Sequence, residues 1–348
     1  MRRRTVDDET DLSVLPISTG LNNATLNRLR RELYFNYSML KKKVENSPMD
    51  ALVVENVVKA FGAARAVDGL SFRVPRGSIC GFLGPNGAGK TTTIRMAMDI
   101  IRPDSGNLTL LDGLTPAGAR CRTGYMPEER GLYPKMSVGR VLSYIARIRG
   151  IKSREIDGKI RGWLDRVDLA ECATKKVEEL SKGMQQKIQF IAAAIHDPDV
   201  LILDEPFASL DPINADLLKD ILLGFKSAGK TVLFSTHIME QAEQLCDHIV
   251  LINRGRNVLS GTLESVRAQY PADSIDVELD GDASFLDTLP QVKNVVRADG
   301  GLRTTLREGA DDQQLLAQML DRVRIRRFEL TVPSLHEIFI LAVGEPHE

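Results

Sequence analysis

Gly84-Pro85-Asn86-Gly87-Ala88-Gly89-Lys90-Thr91 satisfies the pattern G-x-x-x-x-G-K-[ST]. The apolar run before it, Ser78-Ile-Cys-Gly-Phe-Leu83, predicts a buried strand, and Lys90 to Ile101 predicts a helix. Strand, glycine loop and helix are the context in which this pattern binds phosphate. Glycines let successive backbone N–H groups turn inward around a phosphate chain, and the helix N-terminus adds the positive end of its dipole. The expected nucleotide contacts are Gly84, Asn86, Gly87, Ala88, Gly89, Lys90, Thr91 and Thr92. Lys90 is expected to reach the β- and γ-phosphates. Thr91 is expected to place its hydroxyl on Mg²⁺, a hard cation that takes oxygen ligands and keeps several waters.

Working outward, 348 residues suggest about two domains. An apolar share of 43% is enough to bury a core. The 46 basic residues nearly balance 47 acidic ones, so no basic field favours nucleic acid as a partner. Cys80, Cys121, Cys172 and Cys246 are scattered without metal-ligand spacing. They read as small core residues of a reducing compartment, not as a disulfide frame. Met1-Arg-Arg-Arg4 is followed by Asp7-Asp8-Glu9, not by an apolar stretch, so no secretory signal is expected. Every apolar run falls short of the ~18 residues a membrane span needs. A membrane role therefore has to come through a partner.

Residues 1–48 read as an extension, polar and aperiodic over the first 20. Leu26, Leu29, Leu33, Tyr37 and Leu40 recur at helical spacing between arginines and Lys41-Lys42-Lys43. That predicts a basic amphipathic helix over 22–43, suited to an acidic membrane surface, a partner, or a capping role on the main domain. Met49 stands where the regular pattern begins and is a possible alternative start.

Residues 50–270 alternate strand and helix patterns, which predicts an α/β domain. Leu52 to Val58 and Leu70 to Val74 read as strands, and Ser137 to His196 as a helical insertion. Val200 to Asp204, Thr231 to Ser235 and Ile249 to Ile252 are buried-strand runs. Residues 274–343 read β-α-β-β-α-β with a last helix from Ser334, the order of a ferredoxin-like module.

Asp204 ends an apolar strand, where ligands gather in α/β sheets, and is expected to hold Mg²⁺ through water. Glu205 faces away from it and is placed to act as general base on a water in line with the γ-phosphate.

In this order the motifs resemble the ATP-binding subunit of an ABC transporter over roughly residues 50–343. Leu180-Ser181-Lys182-Gly183-Met184-Gln185-Gln186 resembles the family signature, Ser209-Leu210-Asp211 its D-loop and His237 its switch histidine. Phe61, 23 positions before Gly84, resembles the aromatic residue that stacks on adenine. The resemblance implies a P-loop NTPase core with a helical subdomain at about 137–196, and hydrolysis of ATP with Mg²⁺. It also implies a second, identical ATP-binding subunit that closes head to tail over two nucleotides. Ser181, Gly183 and Asp211 then act across the interface, and a membrane-spanning permease docks on the cytoplasmic face of the membrane.

Three positions depart from the family pattern. Lys182 replaces a signature glycine, Met184 stands at a glutamine position, and Glu128 occupies the Q-loop glutamine position. Glu128 can still ligate Mg²⁺ but adds negative charge beside the phosphates, which predicts weaker ATP affinity or slower closure. The resemblance implies that the segment after Glu128 lies where a permease helix docks, which makes Leu132 and Tyr133 candidate contacts. The signature, the Pro127 to Pro134 segment and the C-terminal module together resemble the bacterial sodium- and drug-export type. Two other readings stay open: a soluble ABC-type ATPase acting on ribosomes or DNA, and an ATP-gated regulatory subunit of slow turnover.

Overall fold

The computed structural model describes residues 50–129, 131–270, 274–298, 301–307 and 309–343. The amphipathic pattern at 22–43 and Met49 lie outside them.

A long hairpin opens the described chain. Strands β1 (Asp50–Phe61) and β2 (Ala64–Pro75) pair antiparallel, and β4 (Ser105–Leu110) adds on the other side of β1. Behind this small sheet stands a six-stranded one of order β5-β6-β7-β3-β8-β9. Its members are β3 (Ile79–Leu83), β5 (Thr123–Met126), β6 (Val200–Asp204), β7 (Thr231–Thr236), β8 (His248–Asn253) and β9 (Arg256–Thr262). All neighbours run parallel except β8 and β9. Every residue of β3, β6 and β7 is buried, as expected of parallel strands covered on both faces. That arrangement carries the C-terminal ends of β3, β6 and β7 to one edge of the sheet.

Helix α1 (Lys90–Ala97) leaves β3 through the glycine loop. It stops before the expected Ile101 because Asp99 takes the left-handed conformation, φ 55°. The short helix α2 (Pro116–Ala119) precedes β5. Between β5 and β6 lie α3 (Val138–Ile148), α4 (Ser153–Arg166) and α5 (Lys182–Ala194). The helical insertion expected over Ser137 to His196 consists of these three helices. Asp168 at φ 57° breaks the chain after α4, and two 3-10 turns, Ala170–Cys172 and Val177–Glu179, lead into α5. Trp163 of α4 packs against Phe190 and Phe225 and ties this region to the main core. Phe225 lies on α6 (Pro212–Ser227); α7 (Met239–Leu245) follows β7, and α8 (Leu263–Arg267) follows β9.

The C-terminal strands are β10 (Ser274–Asp280), β11 (Val292–Ala298), β12 (Gly301–Leu306) and β13 (Arg324–Thr331), antiparallel in the order β11-β12-β10-β13. The first crossover is a 3-10 helix, Ser284–Thr288, in the place of the first helix of the expected β-α-β-β-α-β order; the second is α9 (Asp312–Leu320). This is the split β-α-β arrangement anticipated from the element order. Its core, including Ile275, Val277, Leu286, Leu315 and Met319, is its own. The last helix, α10 (Leu335–Val343), behaves differently: its buried Leu335 and Ile338 belong to the core of the main domain. No helix among the described residues is long and apolar enough to cross a membrane.

Candidate nucleotide site

The glycine loop closes between β3 and α1 because two of its positions admit no side chain. A Cβ on Gly84 would meet the carbonyl oxygen of Ile252 at 2.3 Å, and one on Gly89 would meet that of Ala66 at 2.4 Å. Gly87 and Gly89 also sit at φ 79° and 104°, where only glycine is unstrained. Asn86 and Gly87 are exposed at the crest, Ala88 is buried, and Thr91 and Thr92 lie half-buried in the first turn of α1.

Lys90 is 7% exposed, and its Nζ donates to the carbonyl oxygens of Gly84 at 2.7 Å and Pro85 at 3.2 Å. Burial pushes its ammonium below the ordinary lysine range; the carboxylates of Glu205, Asp204 and Glu128 act in the opposite direction. The Nζ stands 3.9 Å from Glu205 Oε1.

Asp204 is fully buried at the end of β6. Its Oδ1 accepts from Ser235 Oγ, whereas its buried Oδ2 has no hydrogen-bond partner among the described residues. An unsatisfied buried carboxylate oxygen is costly unless something absent from the protein completes it. The donor types suit a hard divalent cation such as Mg²⁺: the Asp204 carboxylate, the Thr91 hydroxyl, and the substrate's own phosphates and waters. The described residues hold no cluster of three His, Cys, Asp or Glu side chains able to bind a metal by themselves.

Glu205 adopts φ 49°, an uncommon conformation for a non-glycine residue and one found at functional sites. It turns the side chain away from Asp204 toward His237, whose Nδ1 lies 3.0 Å from Glu205 Oε1. Glu128 is exposed just past the end of β5. Phe61 is 55% exposed at the tip of the β1–β2 hairpin, with Lys59 Nζ 5.6 Å from its ring centroid.

A second group gathers at the start of α5. Ser181 caps the helix by accepting from Met184 N at 3.2 Å. Gly183 sits so close to the next segment that a Cβ would meet the carbonyl oxygen of Ser209 at 3.3 Å. Asp211 caps α6, accepting from Asn214 N at 3.0 Å and Nδ2 at 2.6 Å, bonds that hold its carboxyl below the ordinary range. Within the described residues no hydrogen bond or ion pair joins Ser181, Gly183 or Asp211 to the glycine loop.

Residues 67–208 match the family described as ABC transporter, and residues 261–343 match the C-terminal domain of DrrA1-3-like ATP-binding proteins. The uncharacterized ABC transporter ATP-binding protein YhaQ of Bacillus subtilis (strain 168) is 40% identical over 297 residues, spanning 85% of this chain and all of the relative. The chain belongs to the ABC transporter ATP-binding family. Another relative of this ABC ATPase is the Nod factor export ATP-binding protein I of Ralstonia nicotianae, 34% identical over 84% of this chain and 94% of the relative. A solved structure of an ATP-binding subunit of an ABC transporter superposes with a TM-score of 0.59 at 30% identity. It covers 63% of this chain and 92% of its own. The chain is an ATP-hydrolysing subunit, and subunits of this family dimerise and work with membrane permeases.

Two residues of the candidate site, Ser235 and Gln189, escaped the motif reading, and a third, Gln186, was read only as the end of the signature stretch. Ser235 Oγ donates to Asp204 Oδ1 and accepts from Glu205 N at 3.1 Å, so one hydroxyl fixes both carboxylate residues. Gln186 Nε2 donates to the carbonyl oxygens of Glu205 and Pro206, both at 3.2 Å. Gln189 Nε2 donates to those of Pro127 at 2.6 Å and Glu129 at 3.1 Å. Helix α5 is thereby bonded both to the Glu205 turn and to the segment carrying Glu128. The only local signal in sequence was a pair of polar residues, Gln186 and Gln189, set among Ile188, Phe190 and Ile191.

Proposed function

We propose that the chain powers an ABC exporter as one of two identical ATP-binding subunits beneath a membrane-spanning permease, on the cytoplasmic face of the membrane. Export is supported by the relatives named for Nod factor export.

The observation that carries the residue assignment is the split between adjacent carboxylates. Asp204 turns one oxygen to Ser235 and leaves the other unpartnered, whereas Glu205 meets His237. Thr91 and Asp204, with Glu128 nearby, would hold Mg²⁺; when bound it supplies charge neutralisation of the β- and γ-phosphates. Lys90 moves from the loop carbonyls to the phosphates and places positive charge there. Glu205 takes the proton of the attacking water, and the bond from His237 fixes the carboxylate that does so. Phe61 offers the open face of its ring to adenine. Ser181, Gly183 and Asp211, which do not reach the glycine loop of their own chain, serve the nucleotide of the second subunit. The γ-phosphate then bridges the two chains, and its loss on hydrolysis releases them.

The test is recovery of the tagged chain from native membranes in mild detergent. A stoichiometric multi-span membrane protein is the expected companion. Ribosomal or DNA-associated proteins in its place would contradict the exporter reading.

A further inference from the structure

We propose that α10 is a strap that positions His237 through Glu243, so that the C-terminal unit sets the rate of ATP hydrolysis; this rests on the role given to His237 above. The imidazole is poorly anchored by its own surroundings. Its side chain is 49% exposed, and its bond to Glu205 is its only hydrogen bond among the described residues. Its position therefore follows the backbone that carries it. That backbone enters α7 within two residues, and the entry is braced locally: Ile238 N and Gln241 Oε1 both bond the Thr236 hydroxyl, each at 3.1 Å.

Helix α7 rests on β3 and β7 of the main sheet, and α10 holds it as well. The strap packs against α7, and its Leu335 and Ile338, 2% and 0% exposed, lie in one core with Met239, Ala242 and Leu245. Glu243 adds a directional contact. Its Oε1 accepts from the backbone N–H of Leu335 at 2.6 Å and pairs with Arg267 at 3.1 Å. A carboxylate on the first turn of a helix is favoured by the unpaired N–H groups and the dipole there.

The far side of the strap is bonded to the C-terminal sheet. Ser334 and Glu337 form a capping box, with Ser334 N donating to Glu337 Oε2 at 2.7 Å and Glu337 N donating to Ser334 Oγ at 3.2 Å. Glu337 Oε1 accepts from Arg303 of β12 at 2.7 Å, and Arg303 also holds Asp276 of β10 through two bonds. A continuous chain of contacts thus runs from the C-terminal sheet through Arg303, Glu337, the strap and Glu243 to the helix behind the switch histidine. A displacement of that sheet, by a partner or by the second subunit, reaches the Glu205–His237 pair.

The experiment uses the full chain with histidines isotope-labelled, observed by NMR, beside steady-state kinetics with Mg-ATP. Glu243→Ala should lower kcat about tenfold, the scale of a lost positioning contact, with KM for ATP unchanged within about twofold. The His237 ring signal, assigned with His237→Ala, should move toward that of free imidazole while those of His196 and His248 stay in place. Glu243→Gln keeps the acceptor for Leu335 N and should restore most of the rate. Ile338→Val, a milder change in the buried face, should shift the His237 signal in the same direction. An unmoved His237 signal in Glu243→Ala and Ile338→Val, or a Gln variant as impaired as the Ala variant, overturns the strap. If His237→Ala itself turns over ATP normally, the failure lies in the histidine assignment instead.

Discussion

Ser235→Ala is the most informative single change in the core of the candidate site, because one hydroxyl bonds both Asp204 and Glu205. The side chain is fully buried, donates to Asp204 Oδ1 and accepts from Glu205 N. Glu205 N keeps a second partner, the Ser235 carbonyl oxygen at 3.2 Å, so the loss falls on Asp204. A buried carboxylate deprived of its donor costs about 1.5–3 kcal/mol, the range for hydrogen bonds to charged groups. For a domain of this size that corresponds to a fall in Tm of about 3–12 °C. The chain's one tryptophan, Trp163, lies in α4 against Phe190 and Phe225 and reports urea unfolding by fluorescence. The same substitution made in an Asp204→Asn background should cost only about 1 kcal/mol, because bonds to neutral acceptors are roughly half as strong. Equal losses in the two backgrounds, or a loss below about 0.5 kcal/mol in the first, would refute the assignment of Ser235 as the donor that holds Asp204.

Glu128→Gln removes a negative charge that acts on Lys90. It should tighten Mg-ATP binding about fivefold, an effect of roughly 1 kcal/mol, and a fluorescent-nucleotide titration showing no change would exclude Glu128 from the phosphate field. His196, between α5 and β6, is pushed down to about 4 by burial and by the Arg149 guanidinium. Its folded pKa lies below its unfolded value of 6.5, so the unfolded chain binds more protons between the two. Stability from this group is intact above about pH 6.5 and is lost as the pH falls toward 4. The loss is about 1–2 kcal/mol once partial solvation is discounted. Urea midpoints measured across that window should fall more steeply for the parent chain than for His196→Gln.

The parts of the site that read well from sequence are those in which geometry is local. The glycine loop is eight contiguous residues whose flanking strand and helix announce themselves, and Asp204-Glu205 closes a run of four apolar residues. What was illegible depends on chain segments far apart. Ser235 lies 31 residues from Asp204, and Gln189 lies 62 from Pro127; the parallel pairing of β6 with β7 brings the first two together, and the packing of α5 on β5 the second two. Strands β4 and β9, Ser-Gly-Asn-Leu-Thr-Leu and Arg-Asn-Val-Leu-Ser-Gly-Thr, escaped notice because their glycines and polar residues blur the alternation. The pattern of α10 is apolar nearly all round, which predicts burial without naming the surface that buries it.

Steady-state turnover by the Glu205→Gln chain decides whether Glu205 is the base for ATP hydrolysis in this chain. Turnover should fall at least about 100-fold, within the range for general-base catalysis, with ATP retained and the closed dimer accumulating. Turnover within twofold of the parent chain would contradict that role and remove Glu205 from the chemistry.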